Sequence, residues 1–356
     1  MAKYRFEQIA INKTEKKKPE ESDYATYIGL EHLDSGCLKV TRWGSDVPIK
    51  GEKLVMKKGD VLLGKRNAYL RRAAIAPHDG IFSAHGMILN PREDVIDKDF
   101  FPLFIASNYF FDEAIKISVG SLSPTINWRD LSKVEFELPP LDEQRKLAQL
   151  LWAINDVKDG YRELLIATDA LVKSQFIEMF GLPERNTHEY EIGTIGDVVK
   201  DVHYGTAIKA SEDGRYIYIR MNNITYDGDL DLTDIKRIDV PEKDLSGCMV
   251  QEGDVLFNRT NSKDLVGKTC HFTGDEPMII AGYIIRLRMN GKVLPEYVST
   301  FMNLDRSKKL LFSMAKGAVG QANINAKEVQ SIPIVIPPEN VQQEFLKLRK
   351  QSDKSK

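Results

Sequence analysis

Hydrophobic and polar positions follow two different rhythms along this chain. From Tyr4 to Leu138 the apolar residues come in short stretches, such as Lys53-Leu54-Val55-Met56 and Gly59-Asp60-Val61-Leu62-Leu63, divided by Gly, Asp and Pro. That spacing predicts β-strands joined by turns, interrupted by a helix near Phe100 to Ile117. The scheme returns from Tyr190 to Ile336, with strands expected around Tyr216 to Met221, Gly253 to Asn258 and Met278 to Arg288, then a helix near Glu296 to Ala315. Between them, Leu141 to Phe180 contains no proline and one glycine, Gly160, and its apolar positions fall into heptads. One row reads Leu147, Ile154, Tyr161, Thr168, Gln175, with Leu151 beside it, and its companion reads Leu150, Val157, Leu164, Leu171, Glu178. This predicts one helix with a coiled-coil seam, ~60 Å long at 1.5 Å per residue. Asp142 and Glu143 suit its N-terminal dipole, and Gly181 with Pro183 supplies the stop.

The two strand-rich stretches are copies of each other. Gly59-Asp60-Val61-Leu62 returns as Gly253-Asp254-Val255-Leu256, and Ile126-Asn127, Val134 and Pro139-Pro140 return as Ile324-Asn325, Ile332 and Pro337-Pro338, at offsets of 194 and 198. Solenoid units run ~20–50 residues, so this period reports duplication of a whole domain. The expected fold class is mixed α/β of the α+β type, without the regular alternation of a doubly wound sheet. Two globular domains, residues 1–140 and 183–337, are separated by a spacer helix in 141–182 and followed by a short helix in 338–356. In that tail, Val341, Phe345 and Leu348 repeat the seam spacing over at most ~28 Å. The tail is expected to run antiparallel to the central helix and cover Tyr161 to Leu171. Leu147 to Val157 is then left either to the first domain or to another chain.

Charge and composition narrow the chemistry. The 356 residues carry 50 Lys and Arg against 52 Asp and Glu, for a net charge of −2, whereas nucleic-acid binders are often strongly basic. Local clusters matter more than the sum. Lys65, Arg66, Arg71 and Arg72 fall together, as do Arg306, Lys308, Lys309 and Lys316. Three scattered cysteines and six histidines without i, i+4 spacing give neither a disulfide framework nor a zinc site, and a reducing cytoplasm fits. The longest greasy run, Met278 to Leu287, is too short to span a bilayer and contains Arg286, so no membrane association is expected. Ser262 to Thr269 ends like a phosphate-binding P-loop, but Ser262 replaces its first glycine and the residues after Thr269 read as strand and turn.

Two pairs of loops stand out. Gly64 to Arg72, with Lys65, Arg66, Asn67, Arg71 and Arg72, follows the Gly-Asp-Val-Leu strand, and Asn258 to Lys263, with Arg259, Thr260, Asn261 and Lys263, follows its repeat. Arg engages guanine bidentately and Asn adenine, while Lys meets phosphate as a point charge. The second pair precedes the proline turns: Ser121, Ser123, Thr125 and Asn127 in one copy, Lys316, Gln321, Asn323 and Asn325 in the other. These small polar segments suit close approach to phosphate. Charged hairpins and Asn-capped turns are the competing structural readings.

The run Gly120-Ser121, Thr125-Ile126-Asn127, Leu131, Glu137-Leu138-Pro139-Pro140-Leu141-Asp142-Glu143-Gln144, continuing to Phe176-Ile177-Glu178-Met179-Phe180-Gly181, closely resembles the specificity subunit of type I restriction-modification systems. The weaker second copy, Asn323-Ile324-Asn325 to Pro337-Pro338 and Gln342, extends the likeness over nearly the whole chain. The resemblance implies two target-recognition domains that each read half of a split site in double-stranded DNA, with helices as the ruler. It implies no catalysis and no cofactor in this chain. S-adenosylmethionine, ATP and Mg would belong to partner methyltransferase and restriction/translocase subunits. The tail departs from the pattern in lacking the Phe-Ile-Glu-Met-Phe-Gly type of finish. Half-sites one DNA turn apart lie ~34 Å from centre to centre, within reach of such a helix. The rivals are an enzyme with an unrecognised site, revealed by metal- or ATP-dependent turnover of the chain alone, and a coiled-coil scaffold that binds protein.

Overall fold

The computed structural model describes residues 1–317 and 321–353 and divides into two compact units, Met1–Tyr161 and Arg162–Lys356. In the first, one four-stranded antiparallel sheet has the order Ala10–Lys13, Gly86–Pro91, Val61–Gly64, Ala73–Ile75. A second has the order Lys16–Lys17, Lys53–Met56, Gly80–Phe82, Tyr27–Ile28, its last pair parallel. Strand Ala2–Arg5 pairs with Glu135–Leu138 and ties the chain start to the segment that leads into the central helix. The core between sheet and helices is rich in phenylalanine, with Phe6, Phe104, Phe110 and Phe136 in mutual ring contact.

The second unit repeats this plan. Its larger sheet runs Val199–Tyr204, Ile284–Met289, Asp254–Asn258, Thr269–His271, and its smaller one Lys236–Ile238, Tyr216–Ile219, Met278–Ile280, Met249–Val250. The repeated Gly-Asp-Val-Leu motif is architectural. Gly59 and Gly253 sit at φ +90° and +85°, where a side chain is strained. The buried Asp60 carboxylate accepts from Lys57 N, Lys13 Nζ and Asn90 Nδ2, and that of Asp254 from Gln251 N and the Arg288 guanidinium. Each carboxylate closes the turn into its strand and neutralises a cation of the same sheet, Lys13 two strands away for Asp60 and Arg288 on the neighbouring strand for Asp254.

The elements differ from the apolar pattern in where they break. Each helix predicted from the apolar pattern is two, Phe100–Ala106 with Asn108–Lys116 and Pro295–Met302 with Asp305–Met314. In the first copy Ser107 restarts the helix by accepting from Phe110 N, and in the second Asn303 donates to Thr269 O and Ser299 O at the break. Similarly, Met278 to Arg288 is two strands with Ala281 to Tyr283 turning between them, since Gly282 N bonds Thr206 O outside the ladder.

The central helix Leu141–Phe180 is unbroken, passes through Gly160 with open space where a Cβ would stand, and ends at Gly181, φ +68°. The tail helix Glu339–Asp353 does pack antiparallel to it, because Phe345 meets Phe176 and Phe180 while Arg349 lies beside Asp169 and Lys173. Its register differs from the heptad reading. The covered residues are Val172, Phe176 and Phe180, which join a core with Tyr297, Phe301, Val341 and Phe345. The seam residues Leu147, Leu150, Leu151, Ile154, Val157, Tyr161, Leu164 and Leu171 are all 37–63% exposed, and Leu348 is exposed too. Aromatic rings of the globular core outcompete the Leu and Tyr stripe for the tail, because they offer larger apolar area in an already buried setting.

Each helix start is clamped to its unit by one glutamine. Buried Gln144 donates to Val95 O and Pro139 O at 3.1 and 2.8 Å and accepts from Asp97 N at 2.8 Å. Gln342 does the same with Lys292 O, Pro337 O and Leu294 N at 3.2, 2.8 and 2.7 Å. The amide matches two acceptors and one donor that a buried loop would otherwise leave unpaired. Gln144→Leu, similar in size, is expected to destabilise the first unit by about 2–4 kcal/mol, since unmet buried groups cost about 1–3 kcal/mol each. Loss of hydrogen-exchange protection in the first unit, with the second unchanged, checks it; unchanged protection in both would refute the clamp.

Candidate nucleic-acid interface

The paired loops meet in both units. Ile126 N donates to Lys65 O and Ile324 N to Arg259 O, both at 2.9 Å. One position further on, Arg66 bridges antiparallel to Thr125, and Thr260 pairs with Asn323. The repeat of 194 and 198 positions is thus also a repeat of hydrogen bonds, and it sets two polar loops side by side on each unit.

What the loops carry differs. In the first unit Arg66 is exposed and its Nε donates to Ser123 Oγ at 2.9 Å, while that hydroxyl donates to Asn67 Oδ1 at 2.7 Å. Asn67 holds a left-handed turn at φ +54°. Thr125 Oγ1 donates to Ser123 O, and Ser121 and Asn127 are exposed. Lys65 lines a cavity of about 360 Å³ with Asn12, Lys13, Lys16, Asn127 and Trp128. Burial, and then the charge of Lys16, hold the Lys65 ammonium below the usual lysine range. Lys13 is paired with Asp60, whereas the Lys16 and Lys65 ammonium groups have no hydrogen bond or ion pair among the described residues. Two unpaired ammonium groups, repelling each other over a cavity, make a place for an oxyanion.

In the second unit Arg259 lies over the Tyr204 ring, 4.8 Å from its centroid, and donates to Asn323 Oδ1 at 3.1 Å. Asn323 Nδ2 donates to Thr260 Oγ1 at 3.1 Å, and Asn261 bonds Asn258 Oδ1 and Ser262 N at 2.8 Å. Lys263 covers the Phe312 ring, and Gln321 is exposed. Of the segment from Gly317 to Asn325, residues 318–320 lie outside the described residues.

Several expected contact residues are turned to structural work. Arg72 spends its guanidinium on Leu30 O and Arg66 O, both at 3.0 Å, and its counterpart Lys268 reaches Met221 O. That lysine belongs to the P-loop lookalike, whose Gly267 is a left-handed turn and whose Thr269 opens a strand. Arg71 is held by Asn108 and Asp112 at 2.6 and 2.7 Å, Lys316 by Glu328 at 2.7 Å, and Thr260 is buried. Asn325 caps helix Ala326–Gln330 through Glu328 N, whereas Asn127 makes no such bond. Sequence reading missed Asn12, Lys13, Lys16 and Tyr204. The lysine-rich stretch Lys13 to Lys18 was the available signal, but only sheet pairing brings it beside Lys65.

Two copies of one α+β fold, each with a clamped helix and a bonded pair of polar loops, define a duplicated binding-domain protein. A family model for the type I restriction modification DNA specificity domain matches residues 6–159 and 187–355. The chain belongs to this family, whose role is recognition. It is 23% identical over 291 residues to the type I restriction enzyme EcoKI specificity subunit of Escherichia coli strain K12, covering 76% of this chain and 61% of that protein. It is 26% identical over 164 residues to the putative type I restriction enzyme MjaX specificity subunit of Methanocaldococcus jannaschii, covering 45% of this chain and 38% of that protein. The match thus spans about three fifths or less of these relatives' length. A crystal structure of the type I restriction-modification S subunit from M. genitalium shares the fold, with TM-score 0.53 and 12% identity, over 99% of this chain and 89% of that one. No helix among the described residues is long and apolar enough to cross a membrane, and no group of three His, Cys, Asp or Glu among them is placed to hold a metal.

Proposed function

We propose that this chain binds double-stranded DNA at a bipartite site, each unit reading one half, and carries the recognition for a cytoplasmic type I restriction-modification complex. Methyltransferase and restriction/translocase subunits would supply the chemistry with S-adenosylmethionine, ATP and Mg, and this chain none. The observation that carries the reading is the repeated bond from Ile126 N to Lys65 O and from Ile324 N to Arg259 O. An identical frame presents Lys65, Arg66 and Ser123 in one unit and Arg259 and Gln321 in the other, as two readers of different sequences require. Phosphate contacts by the cationic groups would position the duplex, and the loop side chains would specify bases. The exposed stripe from Leu147 to Leu171 supports the further assignment of the central helix to partner subunits.

The test is selection from duplex libraries with two random segments and a random spacer, using this chain assembled with its methyltransferase subunit. Enrichment of two short motifs at a fixed separation is expected. A single continuous motif, or none, would sink the proposal.

A further inference from the structure

In the second unit a cavity of about 490 Å³ opens between the loop after strand Asp254–Asn258 and helix Asp305–Met314, lined among others by Tyr226, Lys263, Asp264, Lys308, Lys309 and Phe312. Lys263 Nζ lies 4.4 Å from the centroid of Phe312, and Lys308 Nζ 4.8 Å from that of Tyr226. We propose that this cavity seats a backbone phosphate of duplex DNA, a sequence-independent contact beside the reader loop of the same unit. The inference rests on the DNA-binding reading given above.

The occupant follows from what the cavity offers. An ammonium group lies over each ring, so Lys263 and Lys308 are held in place at the cavity. A phosphodiester needs only these cations, whereas a base stacking on the same face of either ring would have to displace its lysine. Among the described residues the Lys308 ammonium has one polar partner, Gly267 O at 3.4 Å, for three donors. Burial pushes its ammonium down to about 8; Asp227 opposes this, and Lys173 and Lys268 add to it. Of the two carboxylates at the cavity, Asp305 lies 3.5 Å from Lys173, and Asp264 makes no ion pair with the lysines among the described residues. A partly buried cation with no ion pair among the described residues is costly, and a phosphate oxygen relieves it.

The first unit shows the contrast. Helices Asn108–Lys116 and Asp305–Met314 start alike, with Phe111 N bonding Ser107 O and Lys308 N bonding Leu304 O. By that count Asp112 stands where Lys309 does, and Asp112 closes its site onto Arg71 at 2.7 Å. Lys263 also belongs to the loop beginning at Arg259, so a duplex read by that loop passes its backbone over the cavity.

The experiment measures binding of the full chain to a random-sequence 30-base-pair duplex across a KCl series, beside the library selection. Lys308→Met with Lys309→Met is expected to weaken binding about tenfold on every sequence and lower the log–log salt slope by about one, the signature of one lost phosphate contact. Lys308→Arg should keep the slope, and an unchanged melting transition of the second unit shows that the variants fold. Wild-type affinity and slope in the folded double variant would overturn the inference while leaving bipartite reading intact. Loss of sequence preference at an unchanged slope would overturn it too, as would saturable ATP binding abolished by Lys308→Met without a change in duplex slope. A wild-type chain that selects no motif yet keeps the lysine-dependent slope would retire the recognition reading and leave the phosphate seat standing.

Discussion

Phe345→Ala is expected to cost the second unit about 3–5 kcal/mol, the usual range for truncating a buried aromatic. The ring is fully enclosed, 5.3 and 5.4 Å from the centroids of Phe176 and Phe180. Those two rings also pack on Tyr297, whose hydroxyl donates to Val335 O in strand Pro333–Ile336, which leads into the tail. Truncation therefore opens a cavity where the central helix, the tail helix and the domain body all meet. Leu348→Ala is the internal control. On the heptad reading it would cost as much as Phe345→Ala, but its side chain is exposed, so less than about 0.5–1 kcal/mol is expected. Chemical denaturation followed by probes in the second unit checks both, and equal losses would restore the heptad register.

Reversing charge at the first reader loop should have the largest functional effect. The Lys65→Glu, Arg66→Glu double variant is expected to lower affinity for the selected site by about thirtyfold or more, since each lost contact is worth about 1–3 kcal/mol. Discrimination should vanish in the half-site read by the first unit and persist in the other. Stability should hold, because Lys65 has no ion pair to lose and a carboxylate there meets Lys16. Arg259→Glu should invert the pattern, removing discrimination in the other half-site. If either charge reversal left DNA binding at wild-type strength, these loops would not be readers. A protein scaffold would behave in that way.

Much of this was legible in order and spacing. The short apolar stretches divided by Gly, Asp and Pro marked the strands, and the recurrence of Gly59-Asp60-Val61-Leu62 in the second copy marked the duplication. The proline pairs and the glycine after Phe180 delimited the central helix, because backbone geometry at those residues is local. Lys65 and Arg66 were singled out by their position after a repeated strand, and Asn127 by its place before a repeated proline turn. Arg72, Thr260 and Asn325 were drawn into the same set because a polar residue's identity does not say whether it faces water or a backbone carbonyl. The breaks at Ser107 and Asn303 were hidden for a related reason. A capping bond to a partner three residues on, or to Thr269 thirty-four residues back, leaves the apolar rhythm unbroken.

By itself, then, the sequence determined that there are two similar α+β domains, a long helix between them in the chain and a polar loop pair in each, since these depend on local periodicity and repetition. Tertiary structure alone decided where the tail seats, which lysines share a cavity and which cations are already paired. Those outcomes turn on competition among side chains distant in sequence. Phe345 prefers the ring cluster to the seam, and Lys16 and Lys65, forty-nine positions apart, share a cavity because strand Lys16–Lys17 pairs with Lys53–Met56 while the preceding strand Ala10–Lys13 lies in the same sheet as Val61–Gly64.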